Sequence, residues 1–295
     1  MYLLKFRWEW NMKVLVTGGA GFIGSHLCEY LVSQNNTVFS LDNYFSGSFD
    51  NHIKGVDYLT GSTAQINEIV DFGVDIVYHL GEYSRVEQSF KDREIVLTSN
   101  CHGTYAVAEF CLKNSVKLIY AGSSTKFGDD GRGPDQSPYA WSKATNTQLV
   151  KNYGKWFGLS HAVVYFYNVF GGREISFGEY ATLIGIFKER FKSNQPMEVV
   201  SPGNQMRNFT HISDIVSGLV LVGEQGHGDG YGIGHDDSHS VMEVAQMFSD
   251  SIEMLPSREG NRMSASLVTD KLKDLGWSAK VDLAEHIKEF KKANE

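Results

Sequence analysis

The sequence has little cysteine and proline and no long apolar run. Its 295 residues include three cysteines and five prolines. Cys28, Cys101 and Cys111 form no C-x-x-C pair, and an odd number suits no disulfide framework, so we expect reduced thiols in a cytoplasmic protein. No stretch approaches the roughly 18 apolar residues that a membrane span needs, so no membrane partner is expected. Residues 1–11 lack the apolar run and the cleavage site of a signal peptide, and we interpret them as an N-terminal extension.

A basic block is also missing. The chain has 27 lysines and arginines against 35 aspartates and glutamates, a net charge of −8. This balance argues against nucleic acid as a partner. The ten histidines show no pair backed by carboxylates, and His235 and His239 lie in a loop-like stretch, so no metal site is expected. The sequence contains no G-x-S-x-G motif that would indicate a hydrolase.

Short β-branched runs alternate with helical patterns over the first two-thirds of the chain. The clearest runs are Lys13–Thr17, Thr37–Leu41, Ile76–Leu80, Val116–Ala121 and His161–Tyr165. Strands separated by helices of this length imply right-handed crossovers and a parallel sheet covered on both faces, a doubly wound α/β fold. Beyond residue 168 the alternation becomes less regular. We therefore expect an α/β domain at 12–167 and a smaller C-terminal α/β lobe at 168–295, with part of 195–225 returning to the first domain.

A glycine-rich turn follows the first run. Gly19, Gly21 and Gly24 satisfy G-x-G-x-x-G between an expected strand and an expected helix, a context that makes a chance turn the weaker interpretation. The backbone there can approach a pyrophosphate, and the helix N-terminus supplies unpaired N–H groups and a positive dipole end. The turn therefore predicts a Rossmann-type dinucleotide site. Its expected cofactor contacts are Gly18, Gly21, Phe22, Ile23 and Gly24.

Asp42 ends the second run. An acidic side chain at this point can accept hydrogen bonds from the adenosine ribose hydroxyls and would repel a 2′-phosphate. Taken alone, a strand-terminal aspartate is as readily a turn residue. Together with the glycine turn upstream, Asp42 predicts NAD rather than NADP as the cofactor.

A tyrosine and a lysine stand four residues apart at the start of a helical pattern. Tyr139 and Lys143 are thus one turn apart and share a helix face. A nearby ammonium, with the positive nicotinamide ring of bound NAD, would favour the phenolate and let Tyr139 act as a general base near neutral pH. A bare surface pair is the alternative. Ser123 favours the catalytic interpretation, because it lies just past the run Val116–Ala121, at the carboxyl edge where such sheets bind ligands.

These residues together resemble the extended short-chain dehydrogenase/reductase family, and within it the UDP-glucose 4-epimerase-like sugar-nucleotide enzymes. The resemblance covers nearly the whole chain from Lys13 onward. It implies an NAD-binding Rossmann domain and adds further residues to the expected cofactor site. They are Asn43, Ser62, Leu80 and Asn100. The resemblance also implies a homodimer that forms through a helical face around residues 96–112. The alternative is that the apolar residues of this face belong to the core.

The later part of the chain resembles the family's sugar-nucleotide lobe. By that resemblance Asn168, Arg207 and Arg258 would hold the nucleotide diphosphate, and a UDP-sugar is the expected substrate. Arginine forks pair well with phosphate oxygens, although each arginine taken singly is more often a solvated surface residue. Glu82 and Arg85 depart from the small residues common at their positions. We expect them to line the sugar pocket, with a surface or packing role as the equal alternative.

Other departures bear on the reaction. Related 4,6-dehydratases carry an Asp-Glu pair at the positions of Ser124 and Thr125, and related decarboxylases carry Glu at the second. Elimination of water needs that acid and base, so both activities are disfavoured. Lys126 replaces an apolar residue and has no explanation in the sequence.

The resemblance implies an NAD-dependent epimerase. In the expected mechanism, a sugar ring carbon, C4, is reversibly oxidised. Tyr139 takes the hydroxyl proton with Ser123 bridging, and Lys143 binds the nicotinamide ribose. Hydride then returns to the other face of the keto-sugar. An NAD(P)-linked keto-sugar-nucleotide reductase or a dehydratase is the alternative within the family. A non-catalytic dinucleotide-sensing protein is the alternative from another class.

Overall fold

A computed structural model describes residues 11–258 and 262–294. The expected extension at 1–11 therefore lies outside the described residues except for Asn11. The strands are β1 (Lys13–Thr17), β2 (Thr37–Asp42), β3 (Val56–Thr60), β4 (Ile76–His79), β5 (Lys117–Ser123), β6 (His161–Phe166), β7 (Val169–Phe170), β8 (Met197–Val200), β9 (Met206–Asn208), β10 (Thr210–His211), β11 (Gly228–Ile233), β12 (Ser238–Ser240) and β13 (Ile252–Leu255). The α-helices are α1 (Phe22–Ser33), α2 (Ile66–Ile69), α3 (Arg93–Val96), α4 (Gly103–Lys113), α5 (Pro138–Phe157), α6 (Leu183–Lys192), α7 (Ile212–Gln225), α8 (Val241–Phe248), α9 (Asp270–Lys273) and α10 (Leu283–Asn294).

Seven parallel strands form the central sheet, in the order β11-β6-β5-β4-β1-β2-β3. The order reverses direction between β1 and β4, so the connections after these strands leave toward opposite sides. A crevice opens at the carboxyl ends of the strands at such a reversal, and doubly wound sheets bind ligands there. The predicted doubly wound α/β fold is confirmed.

The two faces of the sheet are both buried, and β1 illustrates why its sequence is continuously apolar. Val14 and Val16 face one hydrophobic cluster, which includes Leu27 of α1 and Leu219 of α7. Leu15 faces the opposite cluster, built with α4 and α5. Alternate residues of a strand point to opposite faces, so a strand covered on both sides needs apolar residues throughout.

A third hydrophobic cluster belongs to the C-terminal part of the chain and is built largely from α6, α8 and α10 with β8. Three two-stranded pairs lie outside the main sheet: β10 with β7, β12 with β9, and β13 with β8. Between them, α7 packs on α1 and β11 joins β6 in the main sheet. The chain thus returns to the main sheet as far as residue 233, beyond the segment 195–225 that we expected.

The helical stretch that precedes β5 is broken into short segments. A 3-10 turn at Gln88–Phe90 precedes α3, and a π-helical segment at Leu97–His102 joins α3 to α4. The π-helical segment includes Asn100, whose side chain is fully buried. Helical periodicity in the sequence does not tell the 3-10, π-helical and α-helical segments apart, because each keeps a similar spacing of apolar residues.

Candidate active site

A cleft of about 620 Å³ follows the carboxyl edge of the sheet. It runs from the glycine turn after β1, past the ends of β4 and β5, to the C-terminal lobe at Arg207 and Arg258. Most of the residues expected in the site line this one cleft. They are Gly18, Gly21, Phe22, Ile23, Gly24, Asp42, Asn43, Leu80, Glu82, Arg85, Ser123, Tyr139, Lys143, Asn168, Arg207 and Arg258.

The glycine turn needs its glycines for close backbone packing. Gly18 has φ +75°, in the left-handed region that glycine adopts without strain. A Cβ at Gly24 would lie 2.0 Å from the carbonyl oxygen of Gly18. α1 starts directly after the turn, with the backbone of Gly21 as its N-cap and no side-chain cap. Its first N–H groups therefore face the cleft end of the helix and can receive an anion.

Asp42 fixes this turn from the end of β2. One carboxylate oxygen accepts the N–H of Ala20 at 2.9 Å, and the other accepts the N–H of Tyr44 at 2.8 Å. The side chain is buried, and burial raises the pKa of its carboxyl group, while the two backbone bonds lower it. Asp42 thus has a structural contact with the glycine turn in addition to the ribose contact predicted from the sequence.

Two expected cofactor residues do not line the cleft within the described chain. Ser62 caps a short 3-10 turn by accepting the N–H of Ala64 at 3.2 Å. Asn100 is fully buried and bonds both backbone groups of Tyr83, at 2.7 and 3.1 Å, and the hydroxyl of Ser142 at 2.9 Å. Asn100 therefore holds the loop after β4 against α5, and the residue types alone do not indicate such a tertiary contact.

Ser123, Tyr139 and Lys143 come together at the end of β5. The hydroxyl of Tyr139 donates to Ser123 Oγ at 3.2 Å. The helix α5 starts with Ser137 as N-cap, accepting the N–H of Ala140 at 3.1 Å, and Pro138 at its first position. These start signals place Tyr139 in the first turn, directed at the sheet edge.

Lys143 is held from two sides. Its ammonium donates to the backbone carbonyl of Ala121 and to the carboxylate of Glu82. Glu82 borders the cleft, as expected, but its side chain is only 3% exposed, and its carboxylate is turned toward Lys143. The carboxylate thus forms a buried ion pair, in line with the packing alternative, and a contact of Glu82 with the sugar stays a prediction.

Arg85 joins the loop after β4 to the segment before α6. Its guanidinium donates to the carbonyl oxygen of Tyr180, with Nε at 2.8 Å, and to Ser84. Burial lowers the pKa of Arg85, and the nearby Tyr139 is the largest effect opposing it. Arg85 and Tyr139 both line the cleft.

The C-terminal lobe contributes the side chains of three arginines to the cleft. Arg207 donates to the carbonyl oxygen of Arg262 at 2.7 Å, and burial and the charge of Arg262 lower its pKa to about 10. Arg258 is partly exposed and pairs with Glu87 at 2.8 Å. Arg262 donates to Ser124 Oγ at 3.2 Å, and its Nη1 is buried with no hydrogen-bond partner in the described chain. A buried guanidinium N–H without a partner indicates a missing acceptor.

Arg262 is not among the residues that the sequence predicts for the site. Its spacing four residues after Arg258 was the available signal, but no pattern in that loop distinguishes the two side chains. Gly260, two residues after Arg258, lies outside the described residues. Asn168 has φ +28°, and its side-chain amide donates to the carbonyl oxygen of Asn208 at 3.0 Å.

Comparison with known proteins identifies the family. The sequence model described as the NAD dependent epimerase/dehydratase family matches residues 14–234. The chain belongs to this family. NAD is the cofactor that defines the family, and the predicted resemblance and cofactor are confirmed.

Individual members of the family align with most of the length of this chain. A putative UDP-glucose 4-epimerase of Methanocaldococcus jannaschii is 29% identical, over 93% of this chain and 96% of its own. A UDP-N-acetyl-alpha-D-glucosaminuronate decarboxylase of Bacillus cytotoxicus is 31% identical, over 79% and 78%. The UDP-glucose 4-epimerase of Thermus thermophilus, solved in complex with NAD, is 27% identical with a TM-score of 0.86, covering 96% of this chain and 99% of that one.

These relatives narrow the chemistry to NAD-dependent enzymes of nucleotide sugars. They include both an epimerase and a decarboxylase, so relationship alone does not select between the family's reactions. The selection has to come from the side chains around Ser123 and Tyr139. In the described part of the chain, no carboxylate hydrogen-bonds to either residue, and Ser123 instead accepts the hydroxyl of Thr125 at 2.9 Å.

Lys126, which has no explanation in the sequence, makes polar contacts with two other strands in the fold. Its ammonium donates to the hydroxyl of Tyr165 at 2.9 Å and pairs with Asp229 at 3.2 Å. Asp229 also pairs with Lys151 at 2.9 Å. Lys126 therefore links the segment after β5 to β6 and β11, away from the Ser123 hydroxyl.

Two further observations concern metals and membranes. The described residues contain no group of three or more His, Cys, Asp or Glu side chains arranged to hold a metal ion. Within 11–258 and 262–294, no helix combines the length and the apolar content needed to cross a membrane.

Proposed function

We propose that the protein is an NAD-dependent epimerase of a nucleotide-linked sugar, a UDP-sugar, acting at C4 through transient oxidation to a keto-sugar. The observation that carries the proposal is the pair formed by Tyr139 and Ser123. Their oxygens lie 3.2 Å apart at the sheet edge. No carboxylate hydrogen-bonds to the pair in the described chain.

The cofactor fits the residues on the other side of the cleft. The glycine turn leaves no space for a Cβ at position 24, and the open N-terminus of α1 suits a pyrophosphate. The carboxylate of Asp42 suits the adenosine ribose of NAD and disfavours a 2′-phosphate. When bound, NAD would supply a reversible hydride acceptor.

Tyr139 would act as the general base and acid. In the first half of the cycle it takes the proton of the sugar hydroxyl while hydride leaves the same carbon. In the second half, it returns the proton to the oxygen while hydride returns to the other face of that carbon. Ser123 would hold the reacting oxygen beside the phenol, and no external reductant is consumed.

The arginines of the C-terminal lobe would hold the substrate's diphosphate. Guanidinium forks bind phosphate oxygens by paired hydrogen bonds. The buried Nη1 of Arg262 lacks an acceptor in the described chain, and a phosphate oxygen would supply one. We therefore propose Arg207 and Arg262 as the principal diphosphate contacts, with Asn168 beside them and Arg258 at the exposed rim.

The side chains after Ser123 favour epimerisation over the related reactions. Ser124 and Thr125 carry only hydroxyls, and these bond to Arg262 and Ser123 respectively. Elimination of water requires an acid and a base at the sugar, and neither residue supplies an ionisable group near neutral pH.

The test is incubation with a panel of UDP-, GDP-, CDP- and dTDP-sugars, with the products resolved by NMR. We expect the C4 epimer of a UDP-sugar and no lasting change in nicotinamide absorbance. A stoichiometric change in that absorbance would identify the reductase alternative, and loss of water or carbon dioxide the other family reactions. Absence of turnover across the panel would favour a dinucleotide-sensing protein.

We also propose a cytoplasmic homodimer. The three cysteines are free thiols, with Cys28 and Cys111 buried. Large apolar side chains are exposed on α4, α5 and the helical segment before α4. They are Leu97, Tyr105, Trp141, Trp156 and Phe157. Burial of this helical face in a second copy would remove them from water, and light scattering at micromolar concentration measures the resulting mass.

A further inference from the structure

The carboxylate of Glu82 is buried next to the ammonium of Lys143. The two side chains are 3% and 6% exposed, and they form a direct ion pair. A buried charge is costly unless it is both paired and hydrogen-bonded. The contacts of Glu82 therefore decide whether this pair is stable and what it does.

Glu82 is fully hydrogen-bonded. Its Oε1 accepts the hydroxyl of Thr104 at 2.9 Å, the amide of Asn146 at 3.0 Å and the hydroxyl of Tyr120 at 3.3 Å, while Oε2 accepts Lys143. These partners come from α4, α5 and β5, so the carboxylate is fixed from three elements. A group held this way has little freedom to move when ligands bind.

The same network extends to the cofactor side through His79. Thr104 donates to Glu82, so its oxygen accepts the Nε2–H of His79 at 3.0 Å. The Nδ1 of His79 then accepts the hydroxyl of Thr17, at 2.8 Å, at the end of β1. Burial lowers the pKa of His79 to about 4, which keeps the ring neutral in this tautomer near neutral pH.

The ion pair changes what Lys143 can do to Tyr139. A lone ammonium one helical turn away favours the phenolate form of the tyrosine. A carboxylate beside the ammonium cancels most of that field, because the pair has no net charge. Lys143 keeps its third N–H for a ligand, since Ala121 and Glu82 use two.

The other titratable groups near the pair are neutral near neutral pH. Tyr120 on β5 and Cys101 on the π-helical segment both face Glu82, and burial together with the Glu82 charge raises the pKa of each. The guanidinium groups of Arg85 and Arg262 line the same cleft as Tyr139 and interact with it electrostatically. The field at Tyr139 thus comes from two arginine charges and from a lysine whose charge is paired.

We propose that Glu82 is a positioning residue that holds Lys143 and, as its counter-ion, sets the pH range in which the enzyme works. This inference rests on the proposed function, because it assigns Tyr139 the role of the base. Removing the carboxylate while keeping its volume would leave the ammonium charge uncompensated, and the tyrosine would work at lower pH.

The first test is the pH profile of kcat/KM for Glu82→Gln. We expect the acidic limb to move to lower pH by about one unit, the lower end of the effect of one nearby charge. The matched control is Glu109→Gln, since Glu109 pairs with the hydroxyl of Tyr153 at 2.5 Å on α5 and makes no contact with Lys143. We expect the control to leave the profile in place. A purely structural role for Glu82 predicts that Glu82→Gln lowers kcat/KM at every pH and leaves the acidic limb where it is. That result would overturn the proposal.

The second test needs no turnover. Urea unfolding of NAD-free protein is measured for Glu82→Gln, Lys143→Met and the double variant. Each single variant leaves one buried group without its partner, so we expect a lower unfolding midpoint for each and recovery of most of the loss in the double variant. If the decreases in the unfolding midpoint of the single variants simply add in the double variant, the two side chains do not stabilise each other and the ion pair is overturned. The two proposals can fail separately. If no nucleotide sugar is turned over but the double variant recovers the lost stability, the proposed reaction is wrong while the ion pair is supported.

Discussion

The two sides of the cleft are built in different ways. The core of the cofactor side is one continuous stretch, from Thr17 at the end of β1 to Asp42 at the end of β2, and it presents mainly backbone N–H groups. The substrate side presents side chains from segments far apart in the chain, including Arg85, Arg207 and Arg262. A backbone site depends on turn geometry, whereas a side-chain site depends on how distant segments pack.

The difference also affects how each side tolerates substitution. On the cofactor side, an added methyl group is harmful wherever the backbone is closely packed. On the substrate side, a lost charge matters in proportion to its burial, because an exposed ion pair is worth little and a buried one is worth much more. The following predictions test this contrast, beginning with the residue where the two sides meet.

Tyr139→Phe removes the hydroxyl that both sides of the cleft share. We expect kcat to fall by about a thousandfold, within the usual contribution of a general base. NAD affinity and the sugar-nucleotide KM should stay close to those of the wild type, because the ring remains. Steady-state kinetics with the sugar nucleotide found in the panel measures both effects. Near-normal turnover would mean that another group moves the proton.

His79, which hydrogen-bonds to Thr17 on the cofactor side, should make the stability of the protein depend on pH. Burial lowers its pKa to about 4 from an ordinary 6.5, so the unfolded chain binds more protons between these values. Stability is therefore full above about pH 6.5 and falls as pH decreases toward 4, by at most about 3 kcal/mol for this group.

Urea unfolding at several pH values measures that loss, and His79→Gln should reduce it. His286 in the C-terminal lobe also has a pKa lowered to about 4, by burial, so part of the slope should persist in the variant. An unchanged slope in His79→Gln would place the responsible protons elsewhere.

Gly24→Ala tests the backbone site directly. The new Cβ would lie 2.0 Å from the carbonyl oxygen of Gly18, so the turn must open and its N–H groups must move. We expect NAD affinity to fall by about a hundredfold, or about 2.7 kcal/mol. Gly73→Ala is the control, since a Cβ there meets no atom within 4 Å. Calorimetric titration with NAD compares them, and equal affinities would show that the turn adapts.

Arg262→Gln tests the side-chain site. A charge-assisted hydrogen bond is worth about 1.5–3 kcal/mol, so the KM for the sugar nucleotide should rise roughly 10- to 100-fold, with NAD affinity unchanged. Arg258→Gln should change KM by less than about threefold, because its ion pair with Glu87 is exposed. A larger effect at Arg258 would support the principal diphosphate role that the family resemblance implies for it.

Glu82, Arg262 and Asn100 show where sequence reasoning stops. Glu82 was expected to line the sugar pocket, with a surface or packing role as the equal alternative. The family resemblance implied a cofactor contact for Asn100, and no role was predicted for Arg262. The structure instead gives a buried counter-ion, an arginine with an unpartnered N–H, and a clamp between a loop and α5. Each outcome depends on neighbours at least 17 residues away in the chain, such as Asn100 on Tyr83, and no local pattern records them.

The sequence by itself determined the doubly wound sheet, the glycine turn, NAD as the cofactor and the family, because each depends on local spacing along a strand, a turn or one helix. It also identified Tyr139 and Lys143 as neighbours, since four residues make one helical turn. Only the tertiary structure decided that Lys143 faces Glu82 and that Arg262, rather than Arg258, is the more deeply buried of the two. Charges separated by long stretches of chain interact only after packing has excluded water and brought them within a few ångströms.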